Sequence, residues 1–256
     1  MADKWLRRLP GNGPASARIV CMPHAGGTAA SYAGWRAQLP DTVELVCVQY
    51  PGRQDRLAEQ AIEDMAELAD RVAAALLPVL DLPVAMFGHS MGSAVCYEVA
   101  RRLERVENFR LLRFFASGRP APHKVAGEYR SRLGDEELIN AMRQFGGPHA
   151  SLYDQPDLVS LILPSLRSDL RLIDSYRPTR VTSLNAPITA LGGDRDSTCP
   201  VESLSSWRDV TRVGCHVRVF PGGHHYIGEC EADVIAAVTS ALAGLLTDTT
   251  PVRRPS

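Results

Sequence analysis

A chain of 256 residues, 45% apolar and 22% charged, can bury a sizeable core in one large or two small domains. Its 28 basic and 29 acidic side chains leave a formal net charge of −1, which gives no electrostatic footprint for a nucleic-acid partner. No run approaches ~20 consecutive apolar residues, and the stretch from Met1 to Arg8 has no apolar core after its charges, so neither a membrane span nor a signal peptide is expected.

Strand-like and helix-like stretches alternate without an internal repeat, a pattern that predicts a parallel sheet with crossover helices. Ile19-Val20-Cys21-Met22 reads as a short buried strand. The glycine-rich loop Pro23-His24-Ala25-Gly26-Gly27 follows, then a helix over about 31–39. A second strand, 43–48, closes at Tyr50-Pro51-Gly52-Arg53. Apolar residues at 62, 65, 68, 69, 72, 73, 76 and 77 have the spacing of a helix with one buried face.

The apolar run Pro83-Val84-Ala85-Met86-Phe87 leads into Gly88-His89-Ser90-Met91-Gly92 and then into a helix reaching about residue 105. Strand, G-x-S-x-G and helix in that order predict a nucleophile elbow. Such a turn strains the serine backbone, and a side chain two residues to either side would strike the crossing elements. The hydroxyl then stands at the carboxyl end of the sheet, with the next helix's amino terminus aimed at developing negative charge.

A strand over 111–117 ends the first half of the chain. Residues 119–182 offer helices without intervening strands. One is expected over 135–145, with acidic residues in its first turn and Gly146-Gly147 as its stop. Another starts at Pro156, and Pro164 is expected to kink or break it. An all-helical insertion at this position reads as a lid over the site, against the plainer reading of a helical subdomain. Strands resume at 188–191 and 217–220, and a closing helix carries Val234, Ile235, Val238, Ala241, Leu242 and Leu245 on one face. The predicted architecture is an α/β-hydrolase core over 1–118 and 183–247 with a helical lid over 119–182. The tail 248–256 is expected to be disordered.

A serine hydroxyl is nearly inert at neutral pH and needs a base in reach and a group that orients the base. On this fold the partners follow in the order serine, acid, histidine, each beyond a strand's carboxyl end. Those positions hold Ser90, then Asp194 or Asp196, then His224 or His225. Asp196 is preferred because a carboxylate about one turn beyond Gly193 can reach across to the histidine. Asp194 is then a loop-capping carboxylate. His224 is preferred because Gly222-Gly223 lets its backbone approach closely, with His225 pointing away. The amides of Met91 and Ala25 are the candidate oxyanion hole. His24 and His89 are read as fixing their loops through backbone hydrogen bonds.

His123, His149 and His216 have no metal-ligand spacing, no phosphate-loop order of lysine and threonine exists, and neither metal nor cofactor is expected. The six scattered cysteines (21, 47, 96, 199, 215 and 230) read as free thiols of a reducing cytoplasm.

Taken together, these residues resemble the type II thioesterases that accompany polyketide synthases and nonribosomal peptide synthetases. The resemblance rests on Pro23-His24-Ala25-Gly26-Gly27, Tyr50-Pro51-Gly52-Arg53-Gln54-Asp55-Arg56, the elbow, and Ser117-Gly118-Arg119. It continues through Leu163-Pro164-Ser165-Leu166-Arg167-Ser168-Asp169, Gly192-Gly193-Asp194-Arg195-Asp196 and Pro221-Gly222-Gly223-His224. His225 stands where that family usually has an aromatic residue, and Ser197 where a proline commonly follows the aspartate. The resemblance implies hydrolysis of acyl groups from the phosphopantetheine thiol of acyl or peptidyl carrier proteins, as an editing step. Ser90, Asp196 and His224 carry over as the triad, and the amides of Met91 and Ala25 as the oxyanion hole. A monomer without nucleic-acid or membrane partners is expected. Two other readings compete, a small-molecule esterase or acyltransferase on the same fold and a non-catalytic binding module.

Overall fold

Strands β1 (Leu6–Leu9), β2 (Ala17–Met22), β3 (Val43–Val48), β4 (Val84–His89), β5 (Leu111–Ser117), β6 (Ile188–Gly193) and β7 (Cys215–Phe220) form one sheet in the order β1-β3-β2-β4-β5-β6-β7. Every neighbouring pair is parallel except β1, which runs antiparallel to β3. The structure, a computed structural model, describes residues 4–124, 129–146, 150–178 and 180–246. The expected tail 248–256 and His149 lie outside them.

The sheet is buried on both faces, which is why its inner strands read as continuous apolar runs and not as alternation. Val20, Met22, Val46, Val84, Met86 and Phe114 face one core, packed by α1 (Met65–Leu76), α2 (Met91–Leu103) and α4 (Pro156–Ser175). Ile19, Cys21, Leu45, Ala85, Phe87 and Phe115 face the other, closed by Tyr32, Trp35 and the apolar side of α6 (Glu231–Leu246). The remaining helices are α3 (Asp135–Gln144) and the short α5 (Tyr226–Glu229). Among the described residues no helix is long and apolar enough to cross a membrane.

Four features depart from the sequence expectation. β1 is too short and too charged to read as a strand. It is held at the sheet edge by Arg8 donating to Glu44 at 2.7 and 3.1 Å and by an Arg7–Asp55 ion pair. The helix expected over 31–39 is a 3-10 segment, Ala29–Ala37, whose buried residues Ala29, Tyr32 and Trp35 recur every three positions, the period of that helix. A further long 3-10 segment, Val201–Val210, went unread. Pro164 does not break α4, which runs 20 residues through it. The carbonyl deprived of a donor belongs to Ser160, an exposed residue, where water can replace the lost bond. By contrast α1 starts where its cap dictates, since the Asp64 carboxylate accepts the Glu67 amide at 2.7 Å.

Between β5 and β6 the described residues are helical or irregular, with no strand. All six cysteines are free, four of them buried.

Candidate active site

Ser90 sits between β4 and α2 with φ 54° and ψ −118°, a conformation that a side-chain-bearing residue adopts only when its surroundings hold it. Steric closure supplies that hold. A Cβ on Gly88 would lie 2.2 Å from the Gly92 carbonyl oxygen, and one on Gly92 would lie 2.0 Å from that of Met22. Hydrogen bonds supply the rest. The Ser90 amide donates to the Ser117 carbonyl at 2.8 Å, and the Ser93 hydroxyl spans Gly88 and Ser117 carbonyls at 2.7 and 2.8 Å.

The acid and histidine loops leave β6 and β7 side by side. Asp194 and Arg195 amides donate to Phe220 and Gly222 carbonyls, each at 2.9 Å, and the Gly222 amide donates to Asp194 Oδ1 at 2.8 Å. A side chain at Gly193 would meet the Gly222 and Gly223 carbonyl oxygens at 2.5 Å, and Gly222 itself has φ +131°. Glycine is therefore required at 193 and 222, while Gly223 has open space around it. Asp194 ties the two loops together and does not face the histidine ring.

His224 Nε2 lies 2.9 Å from Ser90 Oγ, and its Nδ1 lies 2.7 Å from Asp196 Oδ2. The Thr198 hydroxyl, 3.0 Å from the same Nδ1, donates to Asp196 Oδ1 at 2.8 Å, and the Thr198 and Cys199 amides also donate to Oδ1. An ionised carboxylate only accepts, so Nδ1 carries the proton and Nε2 is left to accept from Ser90. Thr198 went unremarked in the sequence.

Burial by itself raises the Asp196 carboxyl, but the hydrogen bond and charge of His224 and the donors of Thr198 outweigh it, and the net shift is downward from 3.8. A folded-state value below the unfolded one stabilises the fold above the ordinary carboxylate range. That contribution is lost as pH falls through the depressed value. Asp196→Asn is accordingly expected to flatten the acid limb of the stability curve, measured as urea midpoints between about pH 6 and pH 3. A parallel limb in parent and variant would contradict it.

His89 is fully buried, with Nδ1 2.8 Å from the Ser117 hydroxyl, which in turn lies 2.6 Å from the Tyr226 hydroxyl. Its Nδ1 partner is a side chain, and the backbone of His224 also hydrogen-bonds the ring. Burial pushes its imidazole well below the ordinary range, helped by the positive charge that His224, His225 and His24 can carry, so it stays neutral. Its ring centroid is 5.1 Å from that of His224. His225 packs edge-on against His24 at 5.0 Å and lines the cavity wall.

Ala25 and Met91 border the same cavity as Ser90, and neither amide donates a hydrogen bond to protein among the described residues. The Ala25 loop is held from behind. Arg53 donates to Asp169 Oδ2 at 2.6 Å and to Oδ1 at 2.7 Å, and to the Gly27 carbonyl at 3.1 Å. Asp169 Oδ2 also accepts the Gly26 amide at 2.7 Å. Both side chains are about 95% shielded. Burial alone would lower the Arg53 guanidinium, but the Asp169 charge outweighs it and raises it. Two segments noted only for resemblance, at 50–56 and 163–169, thus meet in one clamp joining α4 to the loop. Asp169→Asn leaves the Arg53 charge uncompensated. It is expected to cost about 3 kcal/mol of stability in urea melts and to slow turnover roughly tenfold or more as the loop loosens.

The cavity above Ser90 has a volume of about 340 Å³ and an apolar wall of Met142, Phe145, Leu166, Leu170 and Ile173 from the 119–182 segment. A second cavity, about 360 Å³, shares His24, Ala25, Met142 and His225 with it. Among the described residues no group of three metal-ligating side chains has the arrangement to hold a metal ion. A serine, an imidazole and a carboxylate in one hydrogen-bonded line, beside two amides without protein acceptors, can perform acyl transfer through a covalent intermediate.

Comparison with known proteins agrees with this chemistry. A family model described as "Thioesterase domain" matches residues 17–242. Thioesterase PikA5 of Streptomyces venezuelae is 36% identical over 226 residues, 88% of this chain and 80% of that protein. The gramicidin S biosynthesis protein GrsT of Aneurinibacillus migulanus is 32% identical over 91% of each chain. Among solved structures, the type II thioesterase BorB from the borrelidin biosynthetic cluster superposes with a TM-score of 0.87 at 34% identity, covering 94% of this chain and 99% of that one.

Proposed function

The chain belongs to the thioesterase family and is a thioester hydrolase, and on that premise we propose that it releases acyl groups from the phosphopantetheine arm of acyl or peptidyl carrier proteins. Its task is the clearing of aberrant or stalled units from a polyketide or peptide assembly line. The relatives support this reading, since they are named for such pathways. The observation that carries the chemistry is the line from Ser90 Oγ through His224 to Asp196, at the floor of an apolar-walled cavity.

His224 Nε2 takes the Ser90 proton as Oγ attacks the thioester carbonyl, and Asp196 holds the tautomer and stabilises the imidazolium. The amides of Met91 and Ala25 receive the oxyanion. The carbon–sulfur bond then breaks. An alkyl thiol of pKa ~8.5 is a good leaving group, so proton donation to sulfur matters less than it would for an ester oxygen. His224 next activates water against the acyl-Ser90 ester, and the acid product leaves. Segment 119–182 acts as the lid of an acyl chamber, and the second cavity admits the pantetheine arm. No step needs a cofactor or metal. The enzyme works in the cytoplasm as a monomer.

Turnover of an acyl carrier protein is compared with that of a p-nitrophenyl ester bearing the same acyl group. The carrier substrate is expected to have the higher kcat/KM. A strong preference for the simple ester would overturn the carrier assignment and favour a small-molecule esterase.

A further inference from the structure

Arg119 makes no ion pair among the described residues. It follows Gly118 at the carboxyl end of β5 and lines the cavity that holds Ser90 and His224. The residue is partly buried, and its Nε is sealed from solvent with no hydrogen-bond partner among the described residues. Arg56 and Arg113 also carry an orphaned Nε, but neither lines this cavity, and the most deeply buried arginines have ion-pair partners. Arg18 is paired with Glu44 and Asp81, Arg53 with Asp169, and Arg56 with Glu59. The one carboxylate on the same cavity wall, Asp174, accepts the Ser131 amide and makes no ion pair with Arg119. Lys124, Arg130 and Arg177 add further positive charge to that wall.

Burial pushes the Arg119 guanidinium down to about 10, with Tyr176, Cys199 and Asp174 opposing, and it stays protonated at neutral pH. A guanidinium nitrogen sealed from water without an acceptor costs folding free energy that a hydrophobic side chain of similar volume would not. Such a cost persists where a ligand supplies the missing acceptor. The position of Arg119 narrows which ligand atom that is. A Cβ on the adjacent Gly118 would lie 3.5 Å from His224 Cε1, so Arg119 leaves the chain one residue from the catalytic ring. The phosphate of a carrier's arm is separated from the thioester by the whole length of the pantetheine, farther than this side chain reaches. That leaves acceptors close to the thioester, on the acyl group or in the nearest pantetheine amide, and the apolar wall of Leu166, Leu170 and Ile173 on the same cavity favours the acyl side.

Building on the thioesterase reading above, we propose that Arg119 is a specificity-determining residue that hydrogen-bonds an oxygen acceptor on the acyl chain beyond the thioester carbonyl. The preferred substrates are then oxygenated acyl units, not plain alkanoyl ones. A hydroxyl, an oxo group and a carboxylate share this chemistry. The planar fork of the guanidinium matches the carboxylate with two parallel hydrogen bonds and the other two with one.

The test uses N-acetylcysteamine thioesters of butanoyl, 3-hydroxybutanoyl, 3-oxobutanoyl and 3-carboxypropanoyl groups, which need no carrier protein. At least one oxygenated arm is expected to exceed butanoyl in kcat/KM by about tenfold or more, the size of a hydrogen bond to a charged group. The arm with the largest ratio identifies the acceptor. In Arg119→Met that ratio is expected to collapse towards one, and Arg119→Lys to restore part of it. The thermal midpoint of Arg119→Met is expected to be no lower than the parent's, because an unpaired charge has been removed. Hydrolysis of all four thioesters without preference overturns the Arg119 assignment alone, and absence of hydrolysis of every one overturns the thioesterase reading with it. A preference that survives in Arg119→Met, with a lowered midpoint, marks a structural arginine and also overturns the assignment.

Discussion

Ser90→Ala is expected to reduce thioester turnover by a factor on the order of 10⁵ to 10⁶, with the fold intact. The size follows from the roles. Ser90 Oγ is the atom 2.9 Å from His224 Nε2, and no other hydroxyl shares that position. Without it the imidazole has no proton to take, and only the binding cavity and the amides of Ala25 and Met91 remain to polarise a bound carbonyl. Water attacking directly recovers a small remnant of the rate. A fluorophosphonate probe is expected to label the parent at Ser90 and to leave the variant unlabelled. Labelling that persists in Ser90→Ala would place the nucleophile elsewhere.

The same residue allows a stability check. Alanine at φ 54° keeps the strain of serine, so its melting midpoint is expected to match the parent's. Ser90→Gly, free of that strain, is expected to be more stable by about 1 kcal/mol in urea. A glycine variant less stable than the parent would show that the elbow is not strained.

Asp196→Asn is expected to lower turnover by about 10⁴-fold, while Asp194→Asn stays within roughly tenfold of the parent. The two carboxylates are two residues apart and chemically alike, so the contrast rests on partners. Asp196 accepts His224 Nδ1–H at 2.7 Å. An asparagine there can present its NH₂ to the ring, which favours the tautomer with its proton on Nε2 and removes the base that Ser90 needs. Asp194 accepts only the Gly222 amide at 2.8 Å among side-chain hydrogen bonds, and an asparagine carbonyl can take over that role. Turnover of one acyl thioester by the two variants decides between them. Loss confined to Asp194→Asn would reassign the acid.

Much of this site could be read along the chain because each part follows a strand. Apolar runs at 43–48 and 111–117 coincide with β3 and β5, and the elbow, acid and histidine loops all leave strand ends. Residues lacking such a marker went unread. Thr198 is an ordinary loop threonine until folding sets its hydroxyl between Asp196 and His224. Ser93 resembles any small helix residue until its hydroxyl spans two strands' carbonyls. β1 escaped because two arginines occupy half of it, and its place is fixed by Glu44 and Asp55, 36 and 48 residues away.

By itself the sequence determined the class of sheet, the order in which the serine, carboxylate and histidine loops leave its strands, and the two glycines that brace the elbow. These depend on local rules, burial on both faces of a strand and the steric demands of one turn. Only the tertiary structure decided that Arg53 and Asp169, 116 residues apart, lock the Ala25 loop, and that Arg119 makes no such ion pair among the described residues. Whether a buried charge is paired is a property of three-dimensional neighbours. The chain carries 28 basic and 29 acidic groups in nearly equal number, and nothing in their order says which two will meet in the dark of the core.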